Sequence, residues 1–170
     1  SQVAASDSGD LILNFTPSSV GTRTATLTIN SNDVDESSYI INLYGIGGNL
    51  ASEPIDQATN FIFSDVKTYR VNISFTPANS VEGYLVLRKE GAAITVVPLD
   101  GTVYQRGDIL GGAQVVSSDS ITSLSPNNIV AGTNYYFKVF SYNGPNSFRN
   151  YFTNTPLAGN VQTPSSMMPA

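Results

Sequence analysis

The chain has 170 residues, 41% of them hydrophobic and only 12% charged, with 13 acidic residues against 8 basic ones and a net charge of −5. Its basic residues are scattered, which argues against nucleic acid, because a phosphate backbone is neutralised by a clustered cationic patch. Histidine and cysteine are both absent. Their absence excludes a Ser-His-Asp triad, a cysteine nucleophile, an ordinary zinc site and any disulfide.

In chain order, residues 1–10 are small and polar and read as loop. Leu11–Phe15, Thr22–Asn30 and Ser38–Tyr44 alternate apolar and polar positions, the period of a β-strand with one face in a core. In the second of these Ala25, Leu27 and Ile29 share one face, and Thr24, Thr26 and Thr28 share the other, where β-branched hydroxyls suit a solvated sheet surface. Turn residues separate the three runs, and Gly45-Ile-Gly-Gly48 closes the last. Three such strands cannot bury their apolar face alone.

The residues Phe15-Thr-Pro17, Gly21 through Asp33 and Tyr39 through Gly47 resemble bacterial choice-of-anchor D and Hydin-type immunoglobulin-like repeats. In that family they are the last strands of a domain of about 100 residues. The resemblance implies that residues 1–48 are the C-terminal strands of a truncated repeat, and that the chain begins inside a domain. Its open edge and face are expected to pack on the next domain or to drive self-association.

Residues 49–54, Asn-Leu-Ala-Ser-Glu-Pro, read as a linker. A complete second domain is expected over residues 55–164, with a tail at 165–170. Its predicted strands are Thr59–Phe63, Tyr69–Phe75, Gly83–Arg88, Ala93–Val97, Ser120–Leu124, Tyr135–Tyr142 and Leu157–Thr163, with a glycine-rich excursion over Thr102–Val116. No helical periodicity is sustained. Seven or so short strands punctuated by turns describe a β-sandwich.

Around the strand that begins at Tyr135 the second domain resembles a fibronectin type III domain. That family carries Leu-x-Pro-Gly-Thr-x-Tyr here, and Ile129, Gly132, Thr133 and Tyr135 occupy those places, with Ala131 where the family has proline. The resemblance implies that the Tyr135 hydroxyl bonds backbone just upstream, and that Gly132 and Thr133 shape the turn before it. The family's tryptophan is absent, and Val71 or Ile73 fills its place. Phe75-Thr-Pro-Ala-Asn79, Gly83 through Arg88 and Tyr104-x-x-Gly-Asp108 resemble a bacterial variant found in secreted multidomain proteins. The expected fold is therefore all-β: an immunoglobulin-like, fibronectin type III-like sandwich preceded by a three-stranded partial immunoglobulin-like repeat.

No catalytic residue, cofactor or metal is expected. The carboxylates available for hydrolytic chemistry are Asp65, Glu82, Glu90, Asp100, Asp108 and Asp119, and most adjoin turn residues, where Asp bonds its own backbone. Asp33, Asp35 and Glu36 supply too few oxygens for calcium. Arg106-Gly-Asp108 spells an adhesion tripeptide, but its Gly-Asp belongs to the expected turn. The one stretch with a binding composition is 143–156, where Phe148, Arg149, Asn150, Tyr151, Phe152 and Asn154 place aromatic rings beside amides. Rings and amides so mixed could stack on and hydrogen-bond a glycan or protein ligand. The competing reading folds Tyr151 and Phe152 back over the core to anchor a long loop.

The expected function is a non-catalytic extracellular spacer or interaction module of a larger secreted or surface bacterial protein. The alternative is a carbohydrate- or protein-binding accessory module acting through 143–156. Expected partners are the neighbouring domains of the full-length protein, a glycan or protein ligand, and a second copy through the open half-repeat.

Overall fold

The structure, a computed structural model, describes residues 12–14, 20–32, 35 and 37–166. It divides into two compact units, residues 1–49 and 50–170.

In the first unit β1 (Gly21–Asn30) and β2 (Ser38–Gly47) form an antiparallel hairpin in unbroken register from Gly21 opposite Gly47 to Asn30 opposite Ser38. The Ser31 N–H donates to the Ser37 carbonyl at 2.9 Å and closes the turn. Paired residues of an antiparallel ladder share a face, so Ala25, Leu27 and Ile29 line up with Leu43, Ile41 and Tyr39. The threonine face is not purely polar, because its cross-strand neighbours are Ile40, Tyr44 and Ile46, all exposed. Strand β2 is thus apolar on both sides, the pattern of a strand meant for a sheet interior. Ile12–Asn14 lie outside any strand, and Leu11 and Phe15, the ends of that expected strand, fall outside the described residues. Asp33 and Glu36 fall outside them too.

The second unit is a sandwich of two antiparallel sheets. Its strands are β3 (Thr59–Lys67), β4 (Arg70–Thr76), β5 (Gly83–Glu90), β6 (Ile109–Leu110), β7 (Ala113–Asp119), β8 (Ser123–Leu124), β9 (Asn134–Asn143), β10 (Asn150–Tyr151) and β11 (Leu157–Gln162). One sheet has the order β3-β4-β8. The other has the order β10-β9-β5-β7-β6, and β11 also pairs with β9. An outer hairpin joined to a short third strand, facing a sheet centred on β5 and β9, is the immunoglobulin-like arrangement shared by fibronectin type III domains.

The core between the sheets gathers Val71, Ile73 and Phe75 of β4, Tyr84 and Val86 of β5, Val116 of β7, and Tyr135, Phe137 and Val139 of β9. Phe61 and Phe63 of β3 close it, stacked at 4.8 Å and packed against Phe137. Strand β3 reaches Lys67, beyond its predicted end at Phe63, through register shifts with Asn60 and Asp65 in left-handed backbone. Asp65 is ion-paired with Lys67 at 3.0 Å and with Arg70, which ties the β3–β4 turn.

A second core lies on the other side of the larger sheet. Leu85 and Leu87 of β5, Ala113 and Val115 of β7, and Phe140 and Tyr142 of β9 point outward, yet all are buried. They are covered by Ile94 and Tyr104, from the segment after β5, and by Tyr151, from the segment after β9. Three sequence expectations change here. Ala93–Val97 is not a strand; it crosses the sheet face and drops Ile94 into it. The excursion 102–116 hides the start of β7, where Val115 and Val116 are apolar on opposite faces and a bulge opposite Val86 and Leu87 shifts the phase of the residues that follow. Ser120–Leu124 shrinks to Ser123–Leu124.

Within residues 50–54, which belong to the second unit, two positions are tied down. The Ala51 N–H donates to the Phe148 carbonyl at 2.8 Å, and the Asn150 amide donates to the Ala51 carbonyl at 2.9 Å. Pro54 is buried.

Gly144 shows how tightly that contact is drawn. Its φ is +90°, and a Cβ there would sit 2.5 Å from the Phe148 carbonyl oxygen and 2.7 Å from the Ala51 Cβ. Gly144→Ala is expected to destabilise the sandwich by about 3 kcal/mol, from left-handed backbone strain and overpacking together. Gly91→Ala, at φ +71° with open space around it, should lose only about 1 kcal/mol. Urea unfolding of both variants measures the difference, and equal losses would mean that the close approach is absent.

Candidate functional site

The segment 143–156 leaves β9 through a tight corner. The Gly144 N–H donates to the Glu82 carboxylate at 3.0 Å, and the Asn143 side-chain oxygen accepts from the Glu82 N–H at 3.1 Å. A short 3₁₀ turn follows at Asn146–Phe148. The chain then returns as β10, pairing Asn150 with Asn143 and Tyr151 with Tyr142. The Gln57 side chain fastens the next residues: its oxygen accepts from the Ser141 N–H at 2.9 Å, and its amide donates to the carbonyls of Phe152 and Asn154.

The six residues singled out for binding are dispersed by this path. Tyr151 is only 1% exposed. Its ring meets those of Tyr142 at 5.6 Å and Tyr104 at 5.9 Å, its hydroxyl donates to the Thr102 carbonyl at 2.9 Å, and its N–H donates to the Asp100 carboxylate at 2.8 Å. A ring so enclosed cannot stack on a ligand, and the expectation for Tyr151 is corrected: it is an interior anchor. Phe148, Arg149, Asn150 and Phe152 are half-buried, and only Asn154 is exposed. Asn150 holds Ala51, as above. The Arg149 guanidinium lies 4.2 Å from the Tyr142 ring centroid and donates to the Ser118 hydroxyl at 2.8 Å.

At the other end of β9, Gly132 has φ +67° and donates its N–H to the Pro164 carbonyl at 2.9 Å. The Thr133 N–H donates to the buried Thr163 hydroxyl at 3.0 Å, and that hydroxyl donates to the Val130 carbonyl at 2.6 Å. The Tyr135 hydroxyl accepts from the Val130 N–H at 2.8 Å. Arg88, although charged, is buried at this end. Its guanidinium lies 5.3 Å from the Tyr135 ring centroid and donates to the Asn127 carbonyl and, at 2.9 Å, to the Gln114 side-chain oxygen.

Most of the carboxylates considered for hydrolysis are engaged in structural bonds. Asp65 is ion-paired, Glu82 holds Gly144 and Asp100 holds Tyr151. Asp108 accepts from the Gln105 N–H at 2.8 Å. Asp119 accepts from the Ser117 hydroxyl at 2.9 Å and the Ile121 N–H at 2.8 Å. Arg106-Gly-Asp108 is an exposed turn in which the Gly107 N–H donates to the Val115 carbonyl at 2.9 Å. Among the described residues no cluster of acidic side chains could hold a metal ion. No helix of the described residues is long and apolar enough to cross a membrane.

Sequence reasoning missed Gln57, Glu82, Asp100, Arg88 and Thr163 as fastening points. Each is a single polar residue beside a turn or strand end, and its partner lies far away in sequence. Only the buried hydroxyl or amide of the fold shows what it does.

No protein-family model matches the chain, and no curated protein matches it. Solved structures that resemble it include a computationally redesigned β-sandwich protein, at 18% identity over 69% of this chain and 98% of that one, with a TM-score of 0.49. A human fibronectin type III domain from the KIAA0970 protein is 17% identical over 67% of this chain and 77% of its own, with a TM-score of 0.43. A segment of two fibronectin type III domains from chicken tenascin is 21% identical over 82% of this chain and 65% of its own, with a TM-score of 0.41. The fold rests on the strand order and pairing of the two sheets.

Burial raises the phenol pKa of Tyr84, Tyr135, Tyr142 and Tyr151 above its usual value of 10.0, against weaker lowering from hydrogen bonds and nearby arginines. The folded-state values thus exceed the unfolded ones. Stability is intact below the unfolded value of about pH 10 and is lost as the pH rises through the folded values. Alkaline titration should show tyrosinate absorbance from these four residues appearing together with loss of circular dichroism. Full ionisation in a still-folded protein would contradict their burial. Tyr135→Phe, which leaves the Val130 N–H without its partner, is expected to lower stability by about 1–2 kcal/mol in urea unfolding.

Proposed function

We propose that the chain is a non-catalytic spacer or interaction module of a larger secreted or surface protein of bacterial type. The observation that carries this reading is the sealing of the larger sheet. Tyr104, Ile94 and Tyr151, from the two longest connections of the sandwich, lie inside a second core. Long connections are where binding residues are usually displayed, and here they serve rigidity. The structural bonds of the carboxylates point the same way. An extracellular setting agrees with a surface rich in Ser, Thr and Asn and poor in charge. The resemblance of residues 11–47 to immunoglobulin-like repeats agrees with a place beside other domains.

Strand β2 is where a neighbouring domain of the full-length protein attaches in this reading. It carries no charged residue, is apolar on both faces, and pairs only with β1 among the described residues. Edges left in that state recruit strands.

Two measurements test the proposal. A glycan array probed with the whole chain should give no hits; specific hits abolished by Phe152→Ala or Asn154→Ala would favour the accessory-module reading through 143–156. Light scattering should show concentration-dependent self-association of the chain that Ile40→Lys reduces several-fold, because a charge on the exposed face of β2 opposes packing. A monomer at all concentrations would remove β2 from its role as an attachment strand.

A further inference from the structure

The sandwich too has a free strand edge, and it lies in a charged groove. Strand β7 pairs with β5 along one side through Asp119. On its other side β6 covers only Ala113 and Gln114, and the backbone of Gly107 and Asp108 bonds only Val115. From Val116 to Asp119 no strand among the described residues pairs with that outer edge. The same four residues form one wall of a groove of about 360 Å³, which lies at the lower end of ligand-pocket sizes. Leu124 and Ile121 line it on one side, and Arg106 and Arg149 also border it.

The two arginines bring positive charge to a chain that is acidic overall. Neither Arg106 nor Arg149 forms an ion pair with a carboxylate among the described residues. Arg149 is held in place by the Tyr142 ring and by the Ser118 hydroxyl, a neutral acceptor. A guanidinium has five N–H donors; on Arg149 Ser118 takes one, and the Tyr151 hydroxyl engages the same guanidinium. Its Nε is shielded from solvent without a partner, so the donors left for a ligand are at its outer end. Arg106 is exposed. Asp119 also borders the groove, but one of its oxygens is engaged by Ser117 and Ile121.

We propose that this groove binds an extended acidic peptide, which adds as a strand to the Val116–Asp119 edge of β7 and places a carboxylate on Arg106 and Arg149. Strand addition supplies main-chain hydrogen bonds and is not sequence-specific by itself; the carboxylate supplies selection. Ile121 and Leu124 offer an apolar surface for an alternate side chain of the same peptide. The inference rests on the interaction-module reading and names the partner class for one surface of it. That surface is separate from β2, so failure here leaves the self-association and glycan-array tests standing.

The test is a titration of the isotope-labelled whole chain, followed by amide NMR, with three peptides: an extended β-branched peptide with one central Glu, the same peptide with Gln there, and the same peptide N-methylated at alternate residues. The Glu peptide should perturb the amides of Val116–Asp119 and slow their exchange. Binding should weaken about tenfold with the Gln peptide and by a similar factor in Arg106→Gln, as expected for loss of one charge-assisted hydrogen bond. The N-methylated peptide, which cannot pair as a strand, should not bind. Arg106 is exposed, so its variant should keep the parent's spectrum elsewhere; Arg149→Lys serves as the second variant and should weaken binding without unfolding. No perturbation at millimolar peptide, equal affinity for Glu and Gln peptides, or undiminished binding of the N-methylated peptide would each overturn the proposal.

Discussion

Strands β5 and β9 are buried on both of their faces, and the rest of the sandwich is arranged to satisfy that. On β5, Tyr84 and Val86 face the opposing sheet while Leu85 and Leu87 face the other way. On β9 the same division separates Tyr135, Phe137 and Val139 from Phe140 and Tyr142. An antiparallel sheet usually leaves one face to water. Each large apolar side chain on the outer face stands to gain about 1.5–3 kcal/mol from burial, and no second domain is needed to provide it. The chain covers the face itself, by lengthening the connections after β5 and after β9.

Those connections carry no helix beyond one 3₁₀ turn and little strand, so their position has to come from discrete bonds. Tyrosine provides two of them, through Tyr104 and Tyr151, and closes two turns elsewhere in the sandwich, through Tyr84 and Tyr135. The hydroxyls of Tyr84, Tyr104 and Tyr135 accept from the N–H groups of Ala78, Leu99 and Val130, at 2.8, 3.0 and 2.8 Å, and Tyr151 donates to the Thr102 carbonyl at 2.9 Å. Each ring is buried while its hydroxyl satisfies a turn, which lets one residue both fill the core and close a loop. In a chain without cysteine, the Tyr151 contact, together with those of Gln57, Asp100 and Thr163, does what cross-links do elsewhere and fixes loops to strands across long stretches of sequence, while the other three tyrosines each close a turn five or six residues away.

The sandwich itself was legible in the sequence because its inner faces alternate. Val71, Ile73 and Phe75 and the run from Tyr135 to Val139 mark strands whose one apolar side meets the other sheet. Legibility failed where both sides of a strand are apolar or a bulge shifts the phase. Val115 and Val116 read as an unpatterned pair, which makes the start of β7 look like loop in the sequence. It failed also for coverage. The rings near 148–152 signal either a ligand surface or an anchor by the same composition, and only the position of Tyr104 across the sheet decides for Tyr151. The edge of β7 is invisible in the sequence for the same reason that β7 is, while Arg149 stands out by its loop rather than by the groove it borders.

The central claim is that the connections after β5 and β9 are structural parts of the sandwich and not displayed loops. Native-state amide exchange tests it most directly, because protection reports local opening free energy residue by residue. The N–H groups of Gly101, Tyr151 and Phe152, bonded to the Arg149 carbonyl, the Asp100 carboxylate and the Ser141 carbonyl, should exchange nearly as slowly as those of Leu85 and Val86 in the centre of the sheet. Exchange of those three at rates typical of open loops, with β5 still protected, would contradict it.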